Sequence, residues 1–339
     1  MTTHTATQLT SPHDLLAAVP FMVGYHPANS LVVIALRDGQ VSMAMRVDFP
    51  SLDIASDIAI TVASHLTREG AESVIVVGYL PDTNVEIDPL LFVRQGIESR
   101  GISIKESIVV KAGRFKSTMC IDLNCCPLEG TLVPPLSDSR ITAERVASGK
   151  PLPYLDLDQM RASIASTLPD KDLTRALKKI FEIDYDVDCV LDLQREGAHA
   201  VDKLITEFEK SGISKDYQLI ALVLTRLLDL QVRDYAMGMT TVENSKMIWD
   251  MWRWLLRIAP RGYVAPVATV FAASSYEQGE GALAQRALDR AFEDDPKYQM
   301  AKLLRRTFTA GWPPSAFTEM RADLHPKICA ALFTTPASE

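Results

Sequence analysis

The stretch SLVVIALRDGQVSMAMRVDF, residues 30–49, carries the clearest strand signals in the first half of this 339-residue chain. Two apolar runs flank Asp38-Gly39, and Asp-Gly between such runs is a strong signal for a β-hairpin. The first run is apolar throughout, which is typical of a strand covered on both faces. The second run alternates, so Arg46 and Asp48 share one side of it. The stretch therefore predicts two paired strands of a sheet.

Helix and strand signals alternate after this hairpin. Ser51 can cap a helix whose apolar residues recur every fourth position as far as Gly70. Residues 73–77 have the composition of a buried strand of the parallel type, and Asp88-Pro89 can open a second helix. Further strands are predicted near residues 107–112 and 115–121. The order β-β-α-β-α-β-β implies a mixed sheet with helices packed on it.

Strand signals stop soon after Gly130, and the rest of the chain has helical periodicity. We predict an α/β mixed-sheet domain over residues 1–135, a linker with a short helix over 136–155, and an all-helical domain over 156–339. One helix is predicted over residues 215–237. A capping box at residues 240–243 is predicted to begin another helix.

One pattern in the helical half resembles a tetratricopeptide-type hairpin of two antiparallel helices. Small residues are needed where two such helices approach closely, and a proline ends the second helix. These positions are occupied by Gly279, Ala284, Leu288, Ala291 and Pro296. A second copy at the period of such repeats is absent from the sequence, so we predict a single hairpin within an irregular helical domain.

The composition and the missing motifs argue against several classes of protein. The net charge is −8 and no basic patch is evident, so a nucleic-acid partner is not expected. Neither the glycine-rich phosphate loops nor the nucleophile elbow of serine hydrolases occurs in the sequence. No apolar run is long enough to cross a membrane, and no basic segment precedes the first apolar run. Five cysteines, an odd number, fit a reducing compartment. We therefore expect a cytoplasmic protein.

Several segments, taken in order, identify a family that the chain resembles. The N-terminal segments are LLAAVPFMVGYHPANSLVVIAL, RVDFP and CIDLNCCPLEG, and the later ones are RGYVAP, GALAQRALDRAFEDDPKYQMAKLL and AGWPP. Together they resemble the actinobacterial domain-of-unknown-function family 4192 over nearly the whole chain. The resemblance implies a bacterial cytoplasmic setting and a shared fold. It supplies no catalytic residues, because no activity of that family is established.

The segment CIDLNCCPLEG, which contains Cys120, Cys125 and Cys126, can be interpreted in four ways: a zinc knuckle, a redox pair, a nucleophile site or a structural turn. A structural zinc site usually requires four ligands, and no histidine lies in the segment. Adjacent cysteines would close a strained disulfide ring. We therefore favour a turn in which cysteines act as small buried apolar residues, and we predict no metal site.

The remaining candidate ligand-binding residues lie in or near the predicted sheet. His26 and Ser30 belong to the loop before the first strand, where polar residues are ordinary turn formers. Arg46 and Asp48 are either a buried pair that holds the strand register or an open site for a polar ligand. Gly78-Tyr79 ends a predicted strand, and ligands of open α/β sheets bind beyond the carboxyl ends of strands, so Tyr79 is a candidate.

Two functional hypotheses follow. The first is a non-enzymatic module whose helical domain binds a protein partner while the α/β domain stabilises or senses a small ligand. The alternative is an enzyme that acts on a small polar metabolite at the sheet edge with His26, Arg46, Asp48 and a cysteine, Cys120 or Cys125. We predict no cofactor, and the sequence leaves the choice between these classes open.

Overall fold

The computed structural model describes residues 9–81, 88–168 and 170–334. The chain divides into two compact units, Met1–Met160 and Arg161–Glu339. The first unit contains the sheet, and the second is built from helices. This division of secondary structure confirms the predicted fold class, an α/β part with a mixed sheet followed by an all-helical part.

In the part of the first unit that the structure describes, a helix precedes the hairpin. Its helices and strands are α1 (Pro12–Val23), β1 (Ser30–Arg37), β2 (Gln40–Asp48), α2 (Ala55–Glu69), β3 (Ser73–Tyr79), α3 (Asp88–Glu98), β4 (Ser103–Lys111), β5 (Arg114–Ser117), β6 (Thr131–Leu132) and α4 (Arg140–Ala147).

The six strands form one mixed sheet with the order β2-β1-β3-β4-β5-β6. β3 and β4 are parallel, and the other neighbouring strands are antiparallel. The hairpin turn places Asp38 and Gly39 at φ values of 50° and 72°, the left-handed conformation that Asp-Gly supplies at low cost. The prediction of paired strands over residues 30–49 is confirmed.

Both faces of the sheet centre are covered. On one face, alternate residues of β1 and β3 pack against α2 and α3, and this core includes Leu31, Val33, Val74, Leu66 and Val93. On the other face, α1 packs against α4 through Ala17, Ala18 and Ile141. Coverage on both faces explains why β1 is apolar throughout, as the sequence predicted.

Three local predictions in this unit need correction. Ser51 does not cap α2: the helix begins at Ala55, and the capping position is Ile54, whose side chain makes no capping bond. The strand predicted near residues 115–121 ends at Ser117, because the chain then turns into a loop. The helix α1 was not predicted, although Ser11 caps it and Pro12 occupies its first turn.

Residues 136–155, predicted as a linker with a short helix, contain α4. Arg140 at its start pairs with Asp14 of α1 at 3.1 Å. At the other end of the segment, Tyr154 forms an isolated parallel bridge with Tyr25. These contacts attach the segment to the sheet-containing unit.

The second unit consists of helices, and the connection from α6 to α7 is the longest between them. After α5 (Leu157–Ser163), which spans the unit boundary, its helices are α6 (Lys171–Leu177), α7 (Val190–Ser211), α8 (Tyr217–Arg226), α9 (Leu230–Gly238), α10 (Ser245–Ile258), α11 (Val264–Glu277), α12 (Gly281–Asp294), α13 (Gln299–Thr309) and α14 (Pro314–Phe333).

The single helix predicted over residues 215–237 is two helices. Asp229 divides them, because its carboxylate accepts hydrogen bonds from the backbone N–H groups of Gln231 and Val232 and so caps α9. The capping box predicted at residues 240–243 is displaced by one residue. Thr241 Oγ1 accepts from the N–H of Asn244, and Asn244 Oδ1 accepts from the N–H of Thr241, just before α10 begins at Ser245.

The predicted helical hairpin corresponds to α11 and α12. Ala284, Leu288 and Ala291 are fully buried, as close packing of the two helices requires. Gly279, in the turn between them, has a φ of 80°. The likeness of the hairpin of α11 and α12 to a tetratricopeptide repeat stays a prediction.

Candidate functional site

The carboxyl ends of four strands, β2, β3, β4 and β6, meet at one edge of the sheet. β1 is antiparallel to both β2 and β3, β3 is parallel to β4, and β5 is antiparallel to both β4 and β6. At that edge the strand register aligns Asp48, Ser30, Tyr79 and Val110 across four strands. Residues facing each other in a register share a face of the sheet. Here that face is the one on which α1 lies.

A cavity of about 280 Å³, here called the edge cavity, opens at this edge. It lies between α1, the carboxyl ends of β3 and β4, and the segment that follows β6. Its lining residues are His13, Leu16, Ala17, Pro20, His26, Pro27, Tyr79, Val110, Val133, Pro134, Pro135 and Leu136. The lining is mostly apolar and holds three polar side chains, which is the usual composition of a small-molecule site.

Two of these polar side chains, His26 and Tyr79, have no hydrogen-bond partner among the described residues. Burial lowers the pKa of the His26 imidazole and raises the pKa of the Tyr79 hydroxyl. Both groups are therefore neutral at pH 7. The edge cavity offers one hydroxyl donor and one neutral imidazole, which can donate from one nitrogen and accept at the other.

Ser30 faces Tyr79 in the strand register and bonds to Arg46. Its hydroxyl donates to the carbonyl oxygen of Ala28 at 2.5 Å and accepts from Arg46 Nε at 2.8 Å. Arg46 also pairs with Asp48 at 2.6 Å. Because the Asp48 side chain is 89% exposed, this is not the buried pair that the sequence allowed. An exposed pair of this kind contributes little to stability.

The three cysteines lie elsewhere in the unit. The loop over residues 118–130, here called the cysteine loop, joins β5 to β6 at the end of β5 opposite the edge cavity. Cys125 is exposed, and Cys120 and Cys126 are half-buried. The interpretation of these cysteines as small buried apolar residues is therefore wrong. Their Sγ atoms nevertheless lie within 4.8 Å of one another.

The structure thus brings the candidate residues together in two groups. His26 and Tyr79 line the edge cavity. Ser30 faces Tyr79 in the strand register and bonds to Arg46, which pairs with Asp48, but none of these three lines the cavity. Cys120, Cys125 and Cys126 form a separate group. The cavity residues from α1 were not predicted, although the signal was available in Ser11-Pro12, which starts a helix, and Gly24, which ends it.

Comparison with known proteins identifies a family. The family model for a domain of unknown function, DUF4192, matches residues 12–315. The chain belongs to this family. The DUF4192 match includes both compact units, the edge cavity and the cysteine loop, but its description carries no activity. No curated protein and no solved structure matches the chain. Within the described ranges, no helix is both long and apolar enough to cross a membrane.

The burial of His26 predicts a pH dependence of stability. Its pKa is lowered in the folded state, so below pH 6.5 the unfolded chain takes up its proton first, and the free energy of unfolding falls as the pH decreases. We expect His26→Gln to reduce this loss between pH 7 and pH ~5. Hydrogen-exchange protection of the β1 and β3 amides at each pH measures this loss of stability.

His65 provides the control for this experiment. Its pKa is also lowered by burial, but it lies on α2, away from the edge cavity. His65→Gln should leave the part of the pH dependence due to His26 intact. An unchanged pH profile in His26→Gln would contradict the burial of that imidazole.

Proposed function

We propose that the first unit is a non-enzymatic ligand-binding module and that the edge cavity is its binding site. The observation that carries the proposal is the pair of polar groups without a hydrogen-bond partner among the described residues, Tyr79 Oη and the His26 ring, on a mostly apolar wall. Both residues are half-buried, so these polar groups face the cavity and solvent reaches them there. A ligand that bonds to both would take the place of that solvent.

The cavity favours a small uncharged ligand. Its volume of about 280 Å³ is near the lower end of the range for small-molecule sites. None of its lining residues is an aspartate, glutamate, lysine or arginine, and the pKa shifts of His26 and Tyr79 favour their neutral forms. A charged ligand would lose hydration without gaining an opposite charge. A ring compound with one donor and one acceptor is the matching chemistry.

The alternative, an enzyme using a cysteine at the sheet edge, has less support. A nucleophile needs a base within hydrogen-bond reach. The cysteine loop lies at the other end of β5 from His26, and no cysteine lines the edge cavity. Arg46 is engaged by Ser30 and Asp48. We therefore prefer binding to catalysis.

The broader setting that we propose comes from the sequence. The family resemblance supports an actinobacterial source and a cytoplasmic location. The helical unit supports a role in binding a protein partner, because helical hairpins are common interaction modules. Recovery of a specific partner by the isolated full-length chain, and its loss after substitutions on the second unit alone, would test this role.

The ligand proposal predicts a specific effect of Tyr79→Phe. Because the hydroxyl has no protein partner among the described residues, its removal should leave the melting temperature unchanged or slightly raised. Ligand affinity should fall by about 5- to 10-fold, the value of one hydrogen bond. Ligand-observed NMR with a panel of small uncharged ring compounds provides the measurement.

Tyr235→Phe is the matched control. The Tyr235 hydroxyl donates to Asp202 Oδ1 at 2.8 Å in the second unit. This substitution should cost about 1 kcal/mol of stability and leave compound binding unchanged. The proposal fails if no compound binds the wild-type protein, or if Tyr79→Phe and Tyr235→Phe bind equally well.

A further inference from the structure

The cysteine loop brings three thiols to one point. The Sγ atoms of Cys120, Cys125 and Cys126 lie within 4.8 Å of one another, and those of Cys125 and Cys126 are 4.0 Å apart. Within the ranges that the structure describes, no other group of three histidine, cysteine or carboxylate side chains lies close enough to share a metal ion.

Hydrogen bonds within the loop hold this arrangement. The backbone N–H of Cys126 donates to the carbonyl oxygen of Asp122 at 2.7 Å, which closes the turn between the first and the last cysteine. Ser117 Oγ accepts from the N–H of Cys120 at 3.1 Å, and the Asp122 carboxylate accepts from the N–H of Asn124 at 2.9 Å. The backbone is thus folded so that Cys120, at the start of the loop, approaches the adjacent pair Cys125 and Cys126.

Packing does not explain why these residues are cysteines. No residue from 116 to 129 is buried, and the apolar side chains of Ile121 and Leu128 are 96% and 78% exposed. A loop without a core of its own joins two short strands, Arg114–Ser117 and Thr131–Leu132. Such segments are commonly held together by a cross-link when apolar burial cannot do so.

We propose that Cys120, Cys125 and Cys126 bind one thiophilic d¹⁰ metal ion, Zn²⁺ or Cu⁺, through three thiolates. Metal–sulfur bonds of ~2.3 Å place tetrahedral or trigonal sulfur ligands about 3.8–4.0 Å apart. The Cys125–Cys126 separation of 4.0 Å already has this value, and Cys120 needs to approach by less than about 1 Å.

The ligand set determines the chemistry of the site. Soft thiolates select Zn²⁺ and Cu⁺ over hard cations such as Mg²⁺ and Ca²⁺. Each thiol releases its proton to solvent on binding, so affinity rises with pH. Zn²⁺ would keep a fourth position for water or an external ligand, whereas Cu⁺ is satisfied by three sulfurs. The sequence alone predicted no metal site. A structural zinc site usually needs four ligands, and the proximity of the three cysteine side chains is not visible in the sequence.

The experiment uses the full-length protein, reduced and freed of metal under anaerobic conditions. Zn²⁺ and Cu⁺ are titrated separately in competition with a chromophoric chelator for each ion, and the free thiols are counted beforehand. One equivalent of at least one ion is expected to bind. Each of Cys120→Ser, Cys125→Ser and Cys126→Ser should weaken binding by about 100-fold or more, since even the loss of an outer-shell partner costs 10- to 100-fold.

Cys189→Ser is the matched control, because Cys189 is an exposed free thiol of the other unit that bonds only to Asp192 among the described residues. It should bind the ion as the wild type does. Hydrogen exchange adds an independent measurement: the ion should increase the protection of the amides of residues 118–132 in the wild type and in Cys189→Ser only. Two results would overturn the proposal: no stoichiometric binding of either ion by fully reduced protein, or binding that the three loop substitutions leave unchanged.

Discussion

Replacement of Arg321 by methionine is expected to destabilise the second unit by about 3–5 kcal/mol. Arg321 of α14 pairs with Glu277 of α11 at 2.6 Å, and the two side chains are only 9% and 8% exposed. Arg321 also donates to the carbonyl oxygens of Gly238 and Thr240 at 3.1 and 3.0 Å. Its removal leaves a buried carboxylate and two carbonyl groups without this partner.

The pH dependence of this variant follows from Glu277. Burial raises the pKa of its carboxyl group, and Arg321 opposes that rise. Without Arg321 the folded-state pKa rises further above 4.5, so the folded state binds the proton more tightly than the unfolded chain does. Stability is then lost as the pH increases through the folded-state pKa. The destabilisation should therefore be larger at pH 7 than near pH ~5.

Denaturant unfolding followed by tryptophan fluorescence measures the effect, because all four tryptophans lie in the second unit. Arg257→Met, at an exposed arginine of α10, should change stability by less than about 0.5 kcal/mol. The double variant Arg321→Met/Glu277→Leu should recover most of the loss, since an apolar pair can replace a buried ion pair. Equal losses in Arg321→Met and Arg257→Met would contradict the argument.

The parts of the fold that the sequence predicted correctly are those whose signals lie within one short stretch of chain. The hairpin was recognisable because alternation and Asp38-Gly39 lie within one stretch of chain. The strand β6 was not, because two residues carry no periodicity and the strand exists only through pairing with β5. Ser51 failed as a cap because the chain makes a further turn before α2 begins.

The candidate site depends on long-range geometry that no local pattern contains. Ser30, Asp48 and Tyr79 were each singled out, but their alignment follows from the registers of β1 with β2 and β3. The edge cavity also needs α1, whose apolar run was not assigned to a helix. The approach of Cys120 to the adjacent pair depends on the backbone bond between Cys126 and Asp122. The spacing of the three cysteines in the sequence could not reveal this approach.

Gly96→Ala is expected to destabilise the first unit by about 3 kcal/mol, although alanine is the better helix former. α2 and α3 cross closely here: a Cβ added at Gly96 would lie 2.6 Å from the Cβ of Ala59. Both positions lie on packed helices, so relief requires the helices to separate and the shared core to loosen.

A compensating substitution tests this cause directly. A Cβ at Gly96 would lie 3.5 Å from the Cα of Ala59, an ordinary contact, so removing the methyl group of Ala59 makes room for it. Ala59→Gly alone should cost about 1 kcal/mol through helix propensity. Gly96→Ala/Ala59→Gly should then be more stable than Gly96→Ala, whereas independent effects would make it less stable. Far-UV circular dichroism melts and hydrogen exchange in α2 and α3 measure the difference, and simple additivity would show that the close crossing is not the cause.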